Sequence, residues 1–167
     1  MDPAKNSKIS FDTATITKKT NQREIEMYKL LDGLGVTPQI FAIDENTLTT
    51  KKYDTTLLLL VYNKEISPEK ARELTVKYVY PLIDILDTHK IIHQDLYARN
   101  IVCNKDLNEF RIIDFEEAFL ANTLNREKFL RNKFNRAQID LSLWDISYHH
   151  SVCNVLLNIH SDGPYME

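Results

Sequence analysis

Alternating apolar and polar positions near the amino terminus predict two short strands. Ile9 and Phe11 flank a polar residue in the first extended segment. Ala14, Ile16 and Lys18 fall on one face of the second, since side chains in a strand alternate between its two faces. We therefore expect a hairpin whose second strand carries Lys18.

A helix is predicted directly after this hairpin. Asn21 followed three residues later by Glu24 is typical of a helix N-terminus, and Gly33 and Gly35 are expected to end the helix. Helical spacing of apolar residues continues between these limits, in the stripe formed by Met27, Leu30, Leu31 and Leu34.

Strand patterns return after the helix. Residues 39–43 and 47–52 are predicted to be strands separated by a turn, and Tyr53 and Asp54 to form a linker. A short helix is predicted over residues 57–62, with Thr55 or Thr56 as its cap.

A second, longer helix is expected from Ser67 towards Thr88, since serine followed by Pro68 is a strong helix start. Pro81 should kink it, because proline lacks the amide proton of the backbone ladder.

Two short strands are predicted at residues 101–103 and 110–113, around a turn. Residues 116–139 are interpreted as a long loop, and residues 141–159 as a final buried helix that contains Trp144. Because strands and one helix precede a mostly helical remainder, the order of elements favours an α+β fold.

Bulk properties point to one soluble domain covering residues 1–167. This length allows a single core, and a net charge of -3 gives no excess that would indicate general nucleic-acid binding. The longest apolar run, residues 57–62, is far shorter than the about 20 residues that cross a bilayer. The widely separated Cys103 and Cys153 are expected to be free thiols. We expect a cytoplasmic protein without a membrane partner.

The segment most informative about chemistry is residues 92–102, with the sequence IHQDLYARNIV, followed by RIIDFE at residues 111–116. These segments resemble the protein-kinase catalytic loop, H-x-D-L-x-x-x-N, and the D-F-G motif in a D-F-E form. The resemblance implies that Asp95 accepts the proton of a substrate hydroxyl, whereas Asn100 and Asp114 hold Mg²⁺. Without a kinase site, Asp95 and Asn100 would be a turn-forming pair and Asp114 a strand-end cap.

The amino-terminal half supplies candidate nucleotide-binding residues. ATITK at residues 14–18 resembles the kinase strand whose lysine contacts nucleotide phosphates, and Glu24 resembles the helix glutamate that pairs with it. Lys18 is preferred to Lys19 because it shares a face with Ile16. Tyr53, in the linker, is a further candidate for binding the cofactor. The alternatives are a solvated lysine and a capping-box glutamate.

The glycine-rich phosphate loop of kinases has no counterpart here, because no glycine precedes the candidate lysine strand. The resemblance therefore implies a minimal two-lobed kinase-like fold, with a reduced N-lobe sheet at about residues 1–52 and a truncated helical C-lobe at residues 53–167. Similar size and layout occur in the small kinase of the tRNA-threonylcarbamoylation (KEOPS) complex and in compact kinases of large DNA viruses. A viral protein would act in host cytoplasm.

Two further expectations concern the carboxyl-terminal part. The resemblance implies that Asp140 hydrogen-bonds the catalytic-loop backbone from the start of a buried helix. Basic residues between 126 and 136 are interpreted either as a solvated loop or as a surface for an acidic or phosphate-bearing partner. Gln94 stands where many regulated kinases have an arginine, so control by phosphorylation, for which Thr123 is the available hydroxyl, is not expected.

Three functions follow from this sequence. The first is a Ser/Thr kinase that uses ATP and Mg²⁺ to phosphorylate a protein. The second is a pseudokinase that binds a protein partner, and the third is a small-molecule kinase of the choline or aminoglycoside type, which shares D-F-E.

Overall fold

The computed structural model of the chain describes residues 9–11, 14–121 and 125–144, with side chains described for residues 14–121 and 131–143. Its first half contains a four-stranded antiparallel sheet of β1 (Ile9–Phe11), β2 (Thr15–Lys19), β3 (Ile40–Asp44) and β4 (Thr47–Lys51), in the order β1-β2-β4-β3. The predicted hairpin is confirmed, with Ile9 opposite Lys18. The predicted strand pair after the helix is confirmed as well.

Helix α1 (Gln22–Leu31) begins as predicted, because the side chain of Asn21 accepts a hydrogen bond from the Glu24 amide at 2.9 Å. Its buried face differs from the predicted stripe. Leu30 and Leu34 are 48% and 40% exposed, and the buried positions are Glu24, Ile25, Met27, Tyr28 and Leu31. The stripe of apolar residues predicted the wrong buried face because Glu24, a charged residue, is one of the buried positions.

The predicted long helix is interrupted before its proline. It consists of α3 (Pro68–Leu74), a π-helical turn (Thr75–Val79) and α4 (Tyr80–Thr88). Pro81 lies in the first turn of α4. The wider π-helical turn before it accommodates the proline ring and the hydrogen bond that proline cannot donate. The short helix α2 (Leu57–Tyr62) precedes this unit and is capped by Thr56.

Short strands complete the second half. β5 (Thr55–Thr56), β7 (Ile101–Cys103) and β8 (Phe110–Ile112) form one sheet, and β6 (Ile91–Ile92) pairs with β9 (Phe119–Leu120). Lys52, Tyr53 and Asp54 connect the two halves, so the predicted division at residue 52 falls in this connection. Cys103 is buried as a free thiol, and Cys153 lies outside the described residues.

The last described helix corrects the sequence interpretation. Helix α5 spans Asn125–Trp144. Residues 125–139 are therefore helical where a long loop was predicted, whereas residues 141–144 are helical as predicted, and residues 145–159 of the predicted final helix lie outside the described residues. The helical period was hidden because the buried face mixes Phe134, Ile139 and Leu143 with buried polar residues, namely Arg131, Asn135, Gln138 and Ser142.

The core lies mostly in the second half, where α2, α3, α4 and α5 pack around the loop between β6 and β7. Leu57, Leu86, Ile101 and Ile112 are among its fully buried members. In the part of the chain that is described, none of the helices has the length and apolar character required to cross a membrane.

Candidate active site

The loop that contains Asp95 is built around a buried histidine. His93 is fully buried, its Nε2 donates to the Ile113 carbonyl at 2.9 Å, and its Nδ1 accepts the Asp95 amide at 3.1 Å. Burial lowers its pKa, so the neutral ring is favoured. His93 therefore holds the loop by packing and hydrogen bonding.

Both carboxylate oxygens of Asp95 are hydrogen-bonded. Arg99 Nη2 lies 2.6 Å from Oδ1, and Asn100 Nδ2 donates to Oδ2 at 3.0 Å and to the Asp95 carbonyl at 2.7 Å. The side chain of Asp95 remains 25% exposed. Because the Asn100 amide nitrogen is turned to Asp95, its carbonyl oxygen remains for another ligand.

Helix α5 anchors this loop through residues that the sequence interpretation missed. Gln138 Oε1 accepts from the Leu96 amide at 3.0 Å, its Nε2 donates to the Gln94 carbonyl at 2.8 Å, and Ser142 Oγ accepts from the Ala98 amide at 2.9 Å. Asp140, predicted to do this, instead accepts from the Tyr80 hydroxyl at 2.8 Å. The prediction failed because α5 begins earlier than expected, so Asp140 faces α4.

Asp114 lies at a sharp turn after β8. Its φ of 66° is in the left-handed region, which costs a non-glycine residue on the order of 1 kcal/mol. The next amide, that of Phe115, donates to Glu24 Oε2 at 2.6 Å, and the Phe115 ring packs edge-on against His93 and Tyr28. These contacts hold the turn and join it to α1.

The structure brings Lys18 and Glu24 together. Lys18 Nζ lies 3.1 Å from Glu24 Oε1, 3.5 Å from Asp114 Oδ1 and 2.9 Å from Glu116 Oε1. Glu24 is 1% exposed. The short sequence separation is sufficient because Lys18 lies next to the end of β2 and Glu24 lies in the first turn of α1, so the two side chains meet where the strand leads into the helix.

Burial and charge act in opposite directions in this cluster. Burial alone lowers the pKa of Lys18, but Glu24, Asp114 and Glu116 outweigh it, so the pKa lies above its ordinary value. Burial raises the pKa of Glu24, and Lys18 offsets part of that rise. The ammonium form of Lys18 is therefore favoured.

Tyr53 has a different position from the other candidates. Its hydroxyl donates to Glu109 Oε1 at 2.6 Å, and it is not among the residues that line the cavity described below. Lys51 and Arg111 also contact this carboxylate, at 3.4 and 3.2 Å. The Tyr53 hydrogen bond, with these cations, lowers the pKa of Glu109, whereas burial raises the pKa of Tyr53.

A cavity of about 190 Å³ lies between the two halves. Its charged and polar lining includes Lys18, Glu24, Asn100 and Asp114, and its apolar lining comes from Ile16, Tyr28, Leu48 and Ile113. The cavity is smaller than the about 300 Å³ at which typical ligand pockets begin. It can therefore enclose part of a nucleotide.

The oxygen donors suit Mg²⁺. Asp114 and Asn100 line the same cavity, and across the described residues no group of three or more His, Cys, Asp and Glu side chains is arranged as a metal cage. Mg²⁺ is commonly bound by one or two protein oxygens together with substrate phosphates and water, and this donor set fits that mode.

The basic residues of α5 whose side chains are described, Arg131, Lys133 and Arg136, do not form one free surface. Arg131 is 1% exposed and lies 3.5 Å from Asp87 Oδ1, and Arg136 lies 2.8 Å from Asp84 Oδ1. Only Lys133 of the described basic residues in this segment is exposed. The predicted solvated loop is wrong here, because these arginines join α5 to α4.

Gln94 also has a structural role. Its side chain donates to the Glu117 carbonyl at 3.0 Å and its φ is 69°. It thus connects the loop that contains Asp95 to the segment after Asp114, whereas Thr123 lies outside the described residues.

Solved structures of similar fold include a chain of a kinase complex and a viral kinase. A chain of the yeast RNA Pol II CTD kinase CTDK-1 complex aligns with a TM-score of 0.51 and 20% identity, over 67% of this chain and 41% of that chain. The Cydia pomonella granulovirus kinase PK-1 aligns with a TM-score of 0.53 and 12% identity, over 72% of this chain and 55% of that one. The chain thus spans about half the length of these kinases or less, and the likeness shows the predicted kinase-like α+β fold.

A family model, that of the RIO domain, matches residues 2–136. No curated protein matches the sequence. The match covers most of the chain and includes the catalytic loop, Asp114 and Lys18, and the resemblance to kinases noted in the sequence is confirmed. The chain therefore belongs to the RIO-domain family of atypical protein kinases.

Proposed function

We propose that this protein transfers a phosphoryl group from ATP to a hydroxyl group of a protein, with Mg²⁺ as cofactor. The observation that carries the proposal is the junction of Lys18, Glu24 and Asp114 in one cavity with Asn100, directly beside Asp95. Phosphoryl transfer needs positioning and charge neutralisation more than covalent chemistry, and these groups supply both.

Each side chain has a role in this scheme. Lys18, held by Glu24, binds nucleotide phosphate through its ammonium group. Asp114 and the Asn100 carbonyl oxygen hold Mg²⁺, which neutralises charge on the phosphates when bound. Asp95 accepts the proton of the substrate hydroxyl, and Arg99 and Asn100 fix the orientation of its carboxylate.

The test is a thermal titration of the isolated chain with ATP, in Mg²⁺ and in EDTA. ATP with Mg²⁺ should raise the Tm, because a ligand at about 100 times its Kd adds about 2.7 kcal/mol to the free energy of unfolding. Asp114→Asn should remove most of the Mg²⁺-dependent part, because a charged ligand of the ion is lost. Asp106→Asn, in an exposed turn, is the matched control.

An unchanged Mg²⁺-dependent Tm shift in Asp114→Asn would refute the metal assignment. A protein that binds ATP but transfers no phosphate to itself or to casein would favour the second function, a pseudokinase that binds a partner. The observation that favours this alternative is that both Asp95 oxygens and the Lys18 ammonium are already occupied by protein groups.

A further inference from the structure

Lys18 has one more acidic neighbour than the proposed binding of nucleotide phosphate requires. Among the described residues, Glu24, Asp114 and Glu116 place carboxylate oxygens within 3.5 Å of its ammonium group. Glu24 also holds the Phe115 amide, and Asp114 lines the cavity. Glu116 has neither role, yet its contact with Lys18, at 2.9 Å, is the shortest of the three.

Glu116 is held in this position by two further residues. The Thr20 hydroxyl donates to the same carboxylate oxygen at 3.3 Å, and Asn21 Nδ2 donates to the Glu116 backbone carbonyl at 3.3 Å. Thr20 follows β2 and Asn21 caps α1. The end of the lysine strand and the start of the glutamate helix therefore both hold Glu116 against Lys18.

The charge balance opposes an incoming phosphate. Three acidic side chains surround one ammonium group, so the acidic side chains outnumber the basic one by two. Glu116 is about one-third exposed, so it can move towards solvent without breaking the core. Burial prevents the same movement of Glu24.

We infer that Glu116 is an intramolecular competitor that occupies Lys18 until a nucleotide phosphate displaces it. The inference rests on the proposed nucleotide site and adds regulation to it: the closed contact lowers the affinity for ATP. Displacement replaces one anionic partner of Lys18 with another, and the freed carboxylate turns to solvent.

The test compares Glu116→Gln with the parent chain by calorimetric titration of ATP, MgATP and tripolyphosphate, which lacks the nucleoside. Glu117→Gln is the matched control, because it removes the same charge from the adjacent exposed position. Glu116→Gln should bind all three ligands roughly threefold to thirtyfold more tightly, since one repelling charge near the phosphates is removed. Glu117→Gln should stay within about twofold of the parent, because exposed charges are screened.

Equal or weaker binding of ATP and tripolyphosphate by Glu116→Gln would overturn the inference. Weaker binding of MgATP, with binding of the other two ligands unchanged, would overturn it as well and would indicate that Glu116 is a metal ligand. A second measurement needs no nucleotide: the Lys18 pKa, followed by NMR of its side chain, should fall in Glu116→Gln and not in Glu117→Gln. An unchanged Lys18 pKa would show that the contact is absent in solution. Tighter tripolyphosphate binding together with no MgATP binding by any variant would support the competitor and contradict the proposed function.

Discussion

Asp95 illustrates how neighbours define the role of one carboxylate. Arg99 and Asn100 donate to its two oxygens, so the side chain has a fixed direction before substrate arrives. In the proposed reaction, the substrate hydroxyl would have to displace one of these donors or share a carboxylate oxygen with it. Orientation of this kind is what a general base contributes in phosphoryl transfer.

Asp95→Asn should lower kcat by about a hundredfold or more, because the amide cannot accept the hydroxyl proton. The ATP affinity should change by less than about threefold, since the proposed metal ligands are other residues. Steady-state phosphate transfer and calorimetric ATP titration measure the two quantities. Joint loss of binding and transfer would instead assign Asp95 a structural role.

His93 should make stability depend on pH. Burial lowers its pKa in the folded protein, below the about 6.5 of an exposed histidine. As the pH falls below about 6.5 the unfolded chain binds a proton first, so the free energy of unfolding decreases towards the folded pKa. Above about pH 6.5 this contribution is fully present.

Urea unfolding at pH values from 8 to 5, as a set of separate equilibrium curves, measures this loss. His93→Gln should be less stable at pH 8 and should lose less stability over the same interval, because the titrating ring is gone. Parallel pH profiles for the two proteins would show that His93 is not the group responsible.

Helix α5 is the element that fixes the loop that contains Asp95. The Gln138 side chain accepts a hydrogen bond from the Leu96 amide and donates one to the Gln94 carbonyl. The Ser142 hydroxyl accepts a hydrogen bond from the Ala98 amide. Backbone groups in a buried loop require such partners, because an unsatisfied buried donor or acceptor costs about 1–3 kcal/mol. Gln138 and Ser142, on the buried face of this helix, therefore serve the loop.

Gln138→Leu should reduce the free energy of unfolding by about 1–3 kcal/mol, because the Leu96 amide loses its acceptor. It should also lower kcat, since the loop that carries Asp95 loses two anchors. Denaturant unfolding and transfer assays measure these effects. Lys133→Ala, an exposed change on the same helix, should stay within about 0.5 kcal/mol of the parent; similar values for both variants would contradict the anchor.

At the scale of the whole molecule, the contacts that join the halves extend beyond those of Lys18 and Glu24. The Ile112 amide donates to the Val36 carbonyl at 2.7 Å. Glu109, before β8, is contacted by Lys51, Tyr53 and Arg111 at distances of 2.6 to 3.4 Å. The second contact crosses the connection at residue 52, so it stabilises the relative position of the two halves.

The isolated chain should bind ATP weakly. No glycine precedes Gly33, so the chain lacks the closely approaching glycine backbone that cradles phosphates in many nucleotide sites. A Kd for MgATP above about 100 μM, near the weak end of the usual range for enzyme substrates, is expected from calorimetric titration. A Kd in the low micromolar range would show that other backbone amides replace the missing loop.

The sequence by itself determined the elements whose signals are local. The cap at Asn21, the hairpin pattern around Lys18 and the serine-proline start of α3 depend on neighbouring residues, so the predictions and the structure agree there. The H-x-D-L-x-x-x-N and D-F-E segments likewise indicated a kinase-like fold, because their spacing is carried by short loops.

Only the tertiary structure decided the rest, since it depends on contacts between distant segments. The polar residues on the buried face of α5 led the sequence pattern to predict a loop. In the structure, Gln138 and Ser142 are buried because they hydrogen-bond the backbone of residues 94–98. Glu116 shows no sign in the sequence of its contact with Lys18, which lies almost a hundred residues earlier. Burying a polar residue costs free energy unless the fold supplies a hydrogen-bond partner, and a partner that is distant in the sequence is not visible in the local pattern.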